Sequence, residues 1–253
     1  MGLAFRYFRS AVAEVYYDPF RTILINVRWF VPTLPALLIL LILLSPVQTA
    51  NTTEATLLES SEDTAALLTP AVLAFPILLA LMILAGPATA ALYSVTHEFV
   101  RGELLEPTRF RAAFRRYFWS GARLAATNVA AGTLLLLNAW FYLTIGIPGV
   151  GLLSIVFFYL LVVWFALQPY LFPLLVEFDQ PVRRVWRNAF FLVMDNLGLT
   201  LGLLIVRSIV LMVAGVLFII VVPLFLAVLL AQIDNRAVTE AIDRYREAGR
   251  VFS

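Results

Sequence analysis

His97 and Glu98 are the first residues to ask chemistry of. The pair forms the opening half of H-E-x-x-H, the helical spacing that places two imidazoles on one metal ion. Position 101 is Arg, and His97 is the only histidine in the chain. A three-ligand zinc site has no ligand set here, and no metal or cofactor is expected. The lone imidazole is left two readings, a boundary residue or a proton relay. There is no cysteine, so thiolate nucleophiles, thiolate metal sites and disulfides are excluded. All 18 basic residues are arginine, which removes lysine Schiff-base chemistry.

Two further features have chemical potential. Gly86-Pro87 interrupts an apolar run. It reads either as a packing kink between small residues or as the break of a discontinuous helix whose new N-terminus faces a ligand. Arg207 lies inside LGLLIVRSIVLMV. A mid-membrane guanidinium costs about 2.5–3.5 kcal/mol on insertion scales and so marks an internal partner or a pathway. Counting residues inward from the charged boundaries brings Arg207, Gln168 and Thr89 to about one depth at 1.5 Å per residue, with Asn128 somewhat shallower. The count predicts a polar layer of Arg207, Gln168, Thr89 and Asn128. The competing expectation is that Arg207 snorkels to headgroups, Glu177 or Asp195.

The elements that must hold these residues are membrane spans. The chain has 253 residues, is 62% hydrophobic and 13% charged, and has a mean hydropathy of +0.93. Soluble domains carry roughly 25% charged residues. Apolar stretches at 26–44, 70–100, 124–145, 152–176 and 198–232 match or exceed the roughly 20 residues that cross a bilayer core. The first of them, after its long polar lead-in, reads as a retained span rather than a signal peptide.

Arginine placement orients the spans. Residues 1–21, 101–123 and 177–197 are Arg-rich, whereas 46–69 and 146–151 contain none. Positively charged loops stay inside. The predicted fold is therefore an all-α, polytopic helical membrane protein, a single membrane domain over 1–253, with its N-terminus cytoplasmic. Residues 1–21 form an interfacial helix, 46–69 an extracytoplasmic acidic loop, 101–123 a cytoplasmic basic amphipathic helix and 233–253 a cytoplasmic tail. The last apolar stretch is one long helix or a hairpin turning near Ala214–Gly215. Arginines in the tail favour the hairpin, hence six spans with both termini inside; the alternative is five.

DPFR at 18–21, EPTR at 106–109 and DQPVR at 179–183 each set an acid ahead of Pro and Arg. They reflect ordinary helix-start chemistry or three related units.

The stretch GPATAALYSVTHEFVRGE (86–103), followed by RFRAAFRRYFW (109–119), resembles the YesL family of predicted bacterial integral membrane proteins. FRYFRSAVAEVYYDPFRTILINVRW (5–29) resembles that family's lead-in, and DQPVRRVWRNAFFLVMDNLGLTL (179–201) its second inner segment. Much of 46–80 is an insertion relative to the pattern. The resemblance implies a multi-pass protein of the bacterial cytoplasmic membrane associated with carbohydrate uptake, and it supplies no catalytic residue.

Three classes of function follow. The leading expectation is a non-enzymatic accessory or structural component linked to carbohydrate uptake, with components of a sugar-uptake system as possible partners. The second is a self-contained small-molecule transporter or channel with a polar site at Arg207. The third, an intramembrane lipid enzyme, is disfavoured because the interiors of the expected spans contain no Asp or Glu. His97, Glu98 and Arg101 are the inner-boundary candidates. Arg109, Arg111, Arg115, Arg116 and Trp119 form the candidate surface for a partner or for anionic lipid headgroups. A nucleic-acid partner is not expected, since this segment is tethered between spans.

Overall fold

The computed structural model describes residues 2–50, 61–103, 106–145, 150–216 and 225–247, and their side chains except at 36–37, 39–50, 61–75 and 78. The described chain is built from helices: α1 Gly2–Tyr17, α2 Pro19–Ala50, α3 Ser61–Val100, α4 Arg109–Arg116, α5 Phe118–Thr144, α6 Leu153–Phe178, α7 Val182–Asp195, α8 Leu197–Val216 and α9, which runs Ala227–Glu247. Among the described residues there is no strand. Four segments are long and apolar enough to cross a membrane: Leu79–Val100, Phe118–Thr144, Val150–Phe178 and Leu197–Gly215. A continuous helix is the local solution for such sequences, because it satisfies each backbone donor and acceptor within its own segment.

The three acid-Pro-Arg motifs all sit where helices begin. Asp18 forms the bend between α1 and α2, its carboxylate accepting the Arg21 N–H at 3.3 Å. Pro19 opens α2 at the position where a missing N–H costs nothing. EPTR leads into α4. In DQPVR, Asp179 takes a left-handed conformation, φ 46°, and closes α6. Pro181, extended, then caps α7. The turn after α3 uses Gly102 at φ 91°, a conformation that a side chain would oppose.

Long helix α3 is the axis of the molecule. It packs against α2, α5, α6 and α9, while α1 lies across α8 and α9. Its run Ala88, Ala90, Ala91, Leu92 is buried. Gly86 meets α5 so closely that an added Cβ would lie 2.5 Å from both the Gly121 carbonyl oxygen and the Ala125 Cβ. Here the structure decides between the two readings of Gly86-Pro87. The helix runs unbroken through both residues, so no new N-terminus is formed, and the glycine is a crossing point for two backbones.

Several expected boundaries move. Helices α2 and α3 extend through 46–50 and 61–69, both inside the predicted acidic loop; residues 51–60 lie outside the described ones. The basic segment 101–123 is not one helix. It comprises a turn, then α4, then a bend at Tyr117 (φ −94°, ψ 12°), after which α5 begins. The bend redirects the chain from the end of the bundle into its length. Tyr117 is buried there, and burial pushes its phenol pKa up.

Residues 233–247 are not a free tail. They belong to α9, in which Ala227, Ala231, Asp234, Val238 and Ala241 form one buried stripe at the spacing of an amphipathic helix. Helix α8 is still helical at Ala214–Gly215, so the expected turn is not at those residues. Residues 217–224 lie outside the described ones.

Helix α1 ends at Tyr17 rather than at residue 21. Phe5, Val12 and Tyr16, part of its apolar pattern, are exposed, while Ala4, Tyr7 and Ala11 are buried. The small residues admit close packing on α8 and α9, and the bulky ones point outward, the arrangement suited to a helix with lipid on one side.

Candidate functional site

The interior holds an ion pair. Arg207 of α8 donates through Nη1 to Oδ2 of Asp234 on α9, and the Tyr93 hydroxyl of α3 donates to the same oxygen at 2.5 Å. Asp234 is completely buried, and the Arg207 side chain is 20% exposed. One residue along α9, Asn235 donates to the Tyr93 carbonyl oxygen at 3.0 Å and to Thr96 Oγ1 at 2.8 Å. Three helices are thus joined through one carboxylate and one amide. A charge removed from water is tolerated when it is both paired and hydrogen-bonded, and this carboxylate has both. Its other oxygen, Oδ1, has no hydrogen-bond partner among the described residues, nor do Asn235 Oδ1 and the two amide atoms of the buried Gln232.

The start of α9 is held from outside the helix. Val228 N–H donates to the buried Asn26 Oδ1 of α2 at 3.0 Å, so a side chain of α2 satisfies one of the free donors of a helix N-terminus. Between α6 and α8, the Tyr170 and Thr200 hydroxyls lie 2.8 Å apart.

A second cluster closes the Arg-rich end of the bundle. Glu177, near the end of α6, is 2.9 Å from His97 Nε2 and accepts from Arg101 at 2.7 Å through both oxygens. Arg246 of α9 reaches it at 3.5 Å. The Glu177 side chain is only 5% exposed. The C-terminal ends of α3, α6 and α9 therefore meet on one carboxylate. Beside it, Arg109 binds Glu98 at 2.9 Å, Glu103 at 2.6 Å and Glu106 at 3.0 Å. Its hydrogen bonds to Glu103, then to Glu98 and Glu106, push the Arg109 pKa up, and the fork ties α4 to the end of α3. Arg116 pairs with Asp179 at 3.2 Å. Among the described residues, no group of three or more His, Asp or Glu side chains is placed to hold a metal ion.

The residues singled out in the sequence fall into separate groups. Asn128 and Gln168 bind one another reciprocally at 2.9 and 3.1 Å across α5 and α6. Thr89 accepts from Trp29 Nε1 at 3.1 Å and donates to the Ala85 carbonyl oxygen at 3.0 Å. None of the three has a hydrogen bond to Arg207. The four therefore enter three separate hydrogen-bonded contacts. Arg207 does not turn to Glu177 or Asp195; it turns to Asp234. Gly86 and Pro87 are buried at the α3–α5 crossing. Glu98 and Arg101 enter ion pairs at the Arg-rich end, and His97 contacts Glu177 there. Arg111, Arg115 and Trp119 are exposed on or beside α4.

Sequence reasoning missed Tyr93, Gln232, Asp234 and Asn235. A signal for Asp234 was present, since apolar residues recur at helical spacing on both sides of it through 227–242.

No family model, no curated protein and no solved structure matches this chain.

Proposed function

We propose that this is a six-span protein of the bacterial cytoplasmic membrane with both termini in the cytoplasm. In this reading it is a non-enzymatic accessory or structural component linked to carbohydrate uptake. The observation that carries it is the meeting of α3, α6 and α9 at Glu177. If α3 and α6 finish on the cytoplasmic side, as their arginine-rich ends favour, then α9 finishes there too. Helix α8 starts at that same end, directly after α7. The chain must then return between α8 and α9, which supports an even number of crossings.

The same clasp supports the role. It makes the cytoplasmic end of the bundle a rigid base for two short amphipathic helices. Helix α4 presents Arg111 and Arg115, and α7 presents Arg183 and Arg184 beside exposed Phe190 and Phe191. Such helices lie flat on anionic lipid and remain open to a partner on the water side. The link to sugar uptake comes from the YesL-like pattern of 5–29, 86–119 and 179–201.

Photo-crosslinking in intact cells tests this, with the reactive residue at Ala112, exposed on α4. The expected adduct is a cytoplasmic or membrane component of a sugar-uptake system. Adducts with lipid alone would refute the accessory role. For the topology, a cysteine placed within 54–63 should react with an impermeant reagent added to intact cells.

A second reading has an observation of its own. Asp234, the partner of Arg207, keeps one buried oxygen without a hydrogen-bond partner among the described residues, and so does the buried Gln232 amide, as they would in a self-contained transporter or channel. Proteoliposome swelling in a panel of mono- and disaccharides separates the two. A sugar flux lost in Arg207→Gln would favour transport, and sealed vesicles favour the accessory role.

A further inference from the structure

Between α2 and α4 lies an open groove of about 640 Å³, within the range of small-molecule sites. Val27 and Val31 form one wall and Phe110 and Phe114 the other, and Arg28 and Arg111 are the two charged residues at this mostly apolar surface. No carboxylate lines it. Arg28 is held in place by donating to the Pro107 carbonyl oxygen. Arg111 is exposed.

We infer that this groove is a binding site for one anionic phospholipid. An acyl chain lies between the valines and the phenylalanines, and the headgroup phosphate lies against Arg28 and Arg111. The inference rests on the membrane reading above, which sets α4 at the bilayer surface. Two things identify the occupant. An apolar wall exposed at a membrane surface is covered by acyl chains, since nothing else there is apolar and abundant. No carboxylate lines the groove beside its two cations, so an anion complements them, and a phosphodiester accepts hydrogen bonds from guanidinium groups in their preferred planar geometry. The contrast with the next basic residue on α4 is instructive. Arg109 is already engaged by three glutamates, whereas the lining of the groove supplies none for Arg111.

The full-length protein, extracted from membranes in mild detergent, is titrated with phosphatidylglycerol and followed by native mass spectrometry. Phosphatidylcholine of the same acyl chains and inorganic phosphate serve as the comparison probes. One phosphatidylglycerol should be retained per chain, and phosphatidylcholine much less. Arg111→Gln should weaken retention by about fivefold, the scale of one arginine at a charged surface. Val31→Trp, which fills the groove from an exposed position, should reduce it at least as much. Arg244→Gln, exposed on α9, should leave it unchanged.

Equal retention of the two lipids would overturn the site. So would unchanged retention in both Arg111→Gln and Val31→Trp, or displacement of the lipid by inorganic phosphate. Failure of the underlying membrane reading shows separately and earlier, as protein absent from the membrane fraction before any lipid is added.

Discussion

Arg207 and Asp234 are 27 residues apart in sequence and form an ion pair inside the protein, with the Tyr93 hydroxyl on the same carboxylate oxygen. The pair joins α8 to α9, and the tyrosine adds α3. Removing one partner leaves the other charge buried and uncompensated, which costs about 3–5 kcal/mol. Asp234→Ala and Arg207→Ala should each lower the thermal midpoint in detergent strongly. Replacing both at once, as Arg207→Met with Asp234→Leu, should recover most of the loss. Two single effects that simply add in the double variant would show that the pair is not coupled.

The α3–α5 crossing should be intolerant of volume. In Gly86→Leu the new Cβ would lie 2.5 Å from the Gly121 carbonyl oxygen, an overlap with backbone that cannot be relieved by a rotamer change. A loss of about 1–3 kcal/mol or more is expected. Gly198 in α8 has nothing within 4 Å of an added Cβ. Gly198→Ala should therefore be neutral or stabilising, by up to about 1 kcal/mol. Unfolding monitored by circular dichroism would distinguish the two glycines.

Glu177 holds α9 to the ends of α3 and α6. Glu177→Gln keeps the shape and removes the charge from contacts with His97, Arg101 and Arg246. A hydrogen bond to a charged group contributes about 1.5–3 kcal/mol. Release of α9 should show as faster trypsin cleavage at Arg244 and Arg246 in the variant. Equal cleavage rates would mean that the clasp does not hold the helix.

Alkaline pH should loosen α1. Tyr7 donates to Glu240, and its pKa is pushed up by burial first and by the Glu240 carboxylate second. The fold therefore favours the neutral phenol. A group raised in the folded state stabilises fully below its unfolded value, about 10 for tyrosine, and that stability is lost as pH rises above it. The midpoint should fall above pH ~10, and Tyr7→Phe should flatten that part of the profile. An identical alkaline slope in the variant would exclude Tyr7 as its source.

Composition and pattern alone determined that the chain is helical and apolar enough to cross a membrane. A run such as LLSIVFFYLLVVWFALQPYLFPLLV offers the backbone few polar side chains, so the helix must satisfy nearly all of its own backbone groups, and that reasoning is local. The same runs located both ends of α6 to within two residues, and the end of α5 and the start of α8 to within one. Gly86-Pro87 could be reduced to two readings. The choice between them needed α5, because the reason for the glycine is Gly121 on another helix. Depth could be counted along each span, which is why Arg207, Gln168, Thr89 and Asn128 looked like one layer. Depth is only one coordinate. The direction a side chain takes around its helix is set by packing, and packing turned Gln168 to Asn128 and Thr89 to Trp29. Asp234 lay beyond the last apolar run, where a charged helix reads as solvated. Only the tertiary structure showed α9 folded back into the bundle, because the small residues that admit it, Ala231, Ala237 and Ala241, acquire meaning when another helix lies against them.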